Sequence, residues 1–145
     1  MPIAILARIL LCVQRARQGE AEAARHLLAQ AHEQAAERAI LVRWGPYLSW
    51  AEANVALAEG RWPEALAAFE TTVDMLGRAN RRWYRARILI DWAGAHLARG
   101  EPGDRQRAGE LLREAEAEFQ AMGAPLYVQR IKAHLQALET GSSTP

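Results

Sequence analysis

The chain has 145 residues, 50% of them apolar and 24% charged, and its 18 basic side chains against 17 acidic ones leave a net charge of +1. So balanced a charge excludes bulk attraction to nucleic acid or to an anionic membrane, and a single cysteine, Cys12, excludes an internal disulfide and a thiolate metal cluster. About a fifth of the positions are alanine and strand formers are scarce, which suits closely packed helices in a chain of ordinary single-domain size.

The first expected helix, 3–18, carries Ile3, Ile5, Leu6, Ile9 and Leu10, so apolar groups stand on nearly every side. The run 3–13 does not read as a signal peptide, because no basic segment precedes it and Arg8 interrupts it. An apolar edge with no preceding cap calls for a partner, either another copy or a longer chain, with Ile5, Ile9 and Leu10 as the residues for self-association. No stretch reaches the roughly 20 apolar residues of a membrane helix, and we expect a cytoplasmic protein without membrane contact.

Further helices are expected at 20–37, 41–59, 62–76, 80–99, 104–122 and 125–139. Gly19, Gly60 and Gly100 each follow an alanine-rich amphipathic stretch, at intervals of about forty residues. Glycine just past a helix takes the left-handed conformation that ends it, so each should close one helix and open a turn. Pro46 either begins the third helix or kinks it. After Gly60, Pro63 takes the first helical position, where a missing N–H is harmless, and Glu64 suits the helix dipole. Leu66, Phe69, Val73 and Leu76 then share a face before Gly77, and Leu112, Ala115, Phe119 and Met122 repeat that spacing before Gly123. Pro125 starts a last helix with the single stripe Val128, Ile131, Leu135 and Leu138, as a terminal cap would have, and the apolar-free tail 140–145 should be disordered.

The segment GRWPEALAAF at 60–69 resembles the turn and second helix of a tetratricopeptide repeat. Its glycine makes the turn, Ala65 lets two helices approach, and Trp62 and Phe69 fill the gap to the next hairpin. The period is longer than the roughly 34 residues usual for that repeat. It is similar to the longer repeats in the C-terminal arms of large bacterial regulators, such as LuxR-type activators with an ATPase domain, where phrases like AGELLREA at 108–115 and FQAMGAP at 119–125 recur. The resemblance implies an all-α fold, an α-solenoid of three tetratricopeptide-like hairpins plus a C-terminal capping helix, forming one domain over 1–139. It implies no enzyme activity, and a signalling adaptor or sensor that binds a protein or peptide in a concave groove.

The residues themselves offer little chemistry. Histidines at 26, 32, 96 and 134 include no pair at metal-binding helical spacing, so no metal is expected. The glycines coincide with helix ends rather than with a phosphate loop, Ser49 lacks a nucleophile elbow, and Cys12 has no basic neighbour in sequence. We therefore expect no cofactor and no catalysis. Arg78, Arg81, Arg82, Arg85 and Arg87, with Trp83 and Tyr84 among them, form the sharpest local anomaly. They could bind anions or nucleic acid through guanidinium groups and stacked rings, or be a solvated helix start whose charges pair with nearby carboxylates. Nucleic acid is not the expected partner. Tyr47, Trp50 and Asn54 share one helical face, as Arg87 and Asp91 do. If the resemblance holds, these line the groove, with Asn54 bonding a peptide backbone and Arg87 a carboxylate. Alternatively the aromatics pack between hairpins. A purely structural oligomerisation module remains a third reading.

Overall fold

The computed structural model describes residues 2–36 and 40–141, with side chains at 4–36 and 44–140. The described residues form helices joined by short turns, without a strand: α1 (Pro2–Arg17), α2 (Ala21–Ala36), α3 (Ile40–Ala58), α4 (Trp62–Arg78), α5 (Arg82–Arg99), α6 (Asp104–Ala121) and α7 (Pro125–Gly141). Pro46 falls within α3 rather than at its start. Thr140 and Gly141 close α7, and the rest of the expected tail, 142–145, lies outside the described residues.

One terminating device recurs. After α1 the N–H of Gly19 (φ 81°) donates to O of Ala16 at 3.0 Å, and that of Glu20 to O of Arg15 at 2.9 Å. The same pair of bonds closes α3 at Gly60, α4 at Asn80 and α6 at Gly123, each with a positive φ. Two carbonyls that a helix end would leave orphaned are satisfied each time. The expectation that Gly77 ends the fourth helix is corrected, because Gly77 lies inside α4 and Asn80, at φ 57°, takes the left-handed position. Asparagine tolerates that conformation through its short polar side chain, so a glycine was not needed. α5 ends differently, with Gly100 (φ 69°) donating to O of His96, and Gly103 (φ 90°) precedes α6.

The contacts group into two units, 1–75 and 76–145. In the first, α1 packs on both α2 and α3, and α2 on α3. Ile5, Ile9, Cys12 and Val13 of α1 meet Ala24, Leu28, Ala31 and Ala35 of α2 and Leu48, Ala51 and Val55 of α3. Spacings of three and four residues put each set on one stripe, and the alanines of α2 let backbones approach. Between α2 and α3 the register is antiparallel, with Arg25 paired to Glu59 just past the end of α3 and, two helical turns on, His32 to Glu52. On α4, Ala65, Phe69, Thr72 and Val73 are buried, and the Thr72 hydroxyl donates to that of Ser49 on α3 at 2.8 Å.

The second unit is governed by α5 and α6. As α5 advances from Arg82 through Arg85 and Trp92 to His96, its partners on α6 retreat from Glu118 through Glu114 and Arg107 to Asp104. That register sets the fully buried Ala86 and Ala93 across from Ala115 and Ala108, and small side chains there permit a close helix pair. α7 packs on α6, with Tyr127 stacked on Phe119 at 4.5 Å and Ile131 fully buried, and Arg105 donates from Nε to O of Leu138 at 3.2 Å. A fully buried Ile, Leu or Phe contributes about 1.5–3 kcal/mol, against about 0–1 for an exposed ion pair, so apolar packing holds both units.

Candidate partner-binding surfaces

In the first unit the expected groove residues are largely absorbed by packing. Tyr47 and Trp50 are half-buried against the α1–α3 core, Tyr47 with its ring 5.5 Å from that of Trp44, and the Arg17 guanidinium lies 5.8 Å over Trp50. Asn54 is 4% exposed and donates from Nδ2 to O of Trp50 at 3.0 Å, so its amide serves its own helix. Of the residues expected to self-associate, Ile5 and Ile9 are corrected to core positions, since α1 turns that stripe onto α2 and α3. Only Leu10 stands at the surface, with Leu11 beside it.

A cleft of about 280 Å³ opens beside Arg25, Glu52, Arg61 and Glu64. Its arginines are engaged by one carboxylate: Arg25 grips Glu59 by two bonds of 2.6 Å, and Arg61 adds two more. The Arg25 hydrogen bonds, with those of Arg61, pull the Glu59 carboxyl down to about 2 against its desolvation. Burial pushes the Cys12 thiol up to about 11, leaving no thiolate nucleophile near neutrality.

In the second unit the arginines do not converge on one point. Arg82 pairs with Glu118 and Arg85 with Glu114, both carboxylates from α6. Arg78 and Arg81 are exposed, Arg81 just before α5, while Arg87 and Asp91 are half-buried on α5. The rings that the sequence places among these arginines belong to a larger group. Trp83 meets Tyr84 at 5.2 Å, Tyr127 at 5.7 Å and Phe119 at 6.4 Å, each edge to face. The Arg87 guanidinium lies 5.7 Å over Trp83 and that of Arg130 5.6 Å over Tyr127. Trp83 remains 38% exposed, Tyr84 43% and Leu126 70%.

Sequence reading passed over Tyr127, Arg130 and Leu126. Their signal was an aromatic in the first turn after Pro125 with arginine three residues on, but only the antiparallel α5–α6 register brings the start of α5 to the start of α7. At the opposite end of α5, Asp104 is held by His96 and Arg99 without a nucleophile beside it, which makes a structural clasp. Among the described residues no group of three or more His, Cys, Asp or Glu side chains could hold a metal ion, and no helix is long and apolar enough to cross a membrane. Comparisons with protein-family models, with curated proteins and with solved structures find no match to the chain.

Proposed function

We propose that this protein is a non-catalytic, tetratricopeptide-like interaction module, a signalling adaptor or sensor of the cytoplasm that binds a peptide segment of a partner protein. The observation that carries this reading is the exposed ring pair Trp83 and Tyr84, joined to Tyr127 and flanked by Arg87 and Arg130. Trp, Tyr and Arg are the residues that dominate binding energy at interfaces, and here they are collected at one end of the α5–α6 pair instead of being spent on the interior. Repeated helix ends at Gly19, Gly60 and Gly123 support the repeat character. The half-buried Tyr47 and Trp50 offer a weaker surface, since Asn54 is already bonded.

Anion or nucleic-acid binding through 78–87 has less support, because Arg82 and Arg85 are paired with carboxylates. Selection from a displayed random-peptide library on the immobilised chain tests the proposal. Peptides should be enriched on the wild type and lost on a Trp83→Ala, Arg130→Gln variant. No enrichment above an unselected library would sink it.

A further inference from the structure

Building on that reading of the α5–α7 end, we infer that the bound segment is acidic, with carboxylates on Arg87 and Arg130 and an apolar side chain against Trp83 and Tyr84. The first ground is the state of the guanidinium groups. Arg87 lies over Trp83 and Arg130 over Tyr127, so both side chains are oriented by ring contact. A guanidinium stacked on a ring keeps its in-plane N–H donors, which suit the two oxygens of a carboxylate. Among the described residues, neither Arg87 nor Arg130 has an ion-pair partner.

The second ground is the local charge. Glu114 and Glu118, the carboxylates nearest in the α5–α6 register, already hold Arg85 and Arg82. Arg81, Arg87 and Arg130 add positive charge around the exposed rings, with Asp91 one turn beyond Arg87 as the carboxylate on that face of α5, although the whole chain is nearly neutral. Such a local field favours an acidic partner and speeds its encounter.

The third ground separates a peptide from a nucleic acid. Single-stranded binding needs open aromatic faces on which bases stack. Here Tyr127 is stacked on Phe119 with Arg130 over it, and Arg87 covers Trp83. Guanidinium groups and Phe119 thus take ring faces of Trp83 and Tyr127 on which bases would stack.

The test uses the full chain and three fluorescent probes: a short glutamate-rich peptide carrying one leucine and one phenylalanine, its glutamine counterpart, and an oligouridylate of similar length. Anisotropy at low salt should show the acidic peptide binding at least about tenfold more tightly than either of the others. Arg87→Gln and Arg130→Gln should each weaken it by about fivefold, with unchanged far-ultraviolet circular dichroism, and Arg113→Gln should leave it unaltered. Equal binding of the acidic and glutamine peptides, both lost in Trp83→Ala, would overturn the acidic preference while leaving the interaction module intact. Tighter binding of the oligouridylate, or no saturable binding of the acidic peptide, would overturn the inference itself.

Discussion

Nδ1 of His96 donates to Oδ1 of Asp104 across 2.7 Å, tying the last turn of α5 to the first turn of α6. Arg99 adds bonds of 2.8 and 2.6 Å to the two carboxylate oxygens, and the N–H of Glu101 a fourth at 2.9 Å. The Arg99 cation stands at a helix C-terminus and the Asp104 anion at a helix N-terminus, so both dipoles favour the arrangement. The Arg99 hydrogen bonds, followed by those of His96 and Glu101, hold the Asp104 carboxyl well below its ordinary range. Asp104→Ala should lower Tm by on the order of 5 °C, because it strands the buried donor of His96 and the half-buried guanidinium of Arg99. Thermal melts followed by circular dichroism check this, and an unchanged Tm would mean the clasp is idle.

Acid sensitivity should trace in part to Glu59. Its carboxyl titrates near 4.5 when unperturbed and at about 2 in the folded chain, chiefly through Arg25. A depressed folded value means that the stabilisation is complete above about pH 4.5 and is lost as the pH falls toward 2. Urea midpoints measured across that window should fall less steeply for Glu59→Gln than for the wild type. Parallel curves would assign the acid loss to other carboxylates, Asp104 first among them.

Gly77 and Gly123 should respond oppositely to alanine. Gly77 is helical, and an added Cβ would lie 3.6 Å from the Arg85 side chain, an ordinary contact. Gly77→Ala should therefore stabilise by about 0.5 kcal/mol through backbone entropy. Gly123 has open space but φ 72°, so Gly123→Ala should cost about 1 kcal/mol. Denaturant unfolding gives both values, and effects of the same sign would contradict the assigned helix end at Asn80.

Cys12 should be nearly inert. Its thiol is raised from 9.0 to about 11, and its Sγ donates to O of Ala24 at 3.2 Å. That rise reduces the thiolate fraction near neutrality about a hundredfold, and burial slows access further. Iodoacetamide should modify the native chain at least about a hundredfold more slowly than the urea-unfolded chain. Comparable rates would place the α1–α2 interface in rapid opening.

Much of the helical layout was legible because its causes are local. The glycines at 19, 60, 100 and 123 and the prolines at 63 and 125 mark ends and starts through backbone geometry alone, and, apart from the end expected at 37, which lies outside the described residues, the helices begin and end within two residues of those expected. The misplaced end at Gly77 has the same root, since two residue types compete for a left-handed position and only the neighbouring hydrogen bonds choose Asn80.

Periodicity in the sequence thus determined which stretches are helical and which stripe of each is apolar. Tertiary packing alone decided what those stripes and charges meet: Ile5 and Ile9 turned inward, Arg82 and Arg85 met Glu118 and Glu114, and Trp83 found Tyr127. The reason is physical. A helix repeats its own faces whatever surrounds it, whereas contacts between residues tens of positions apart depend on the register of one helix against another, which is set by the fit of their buried side chains.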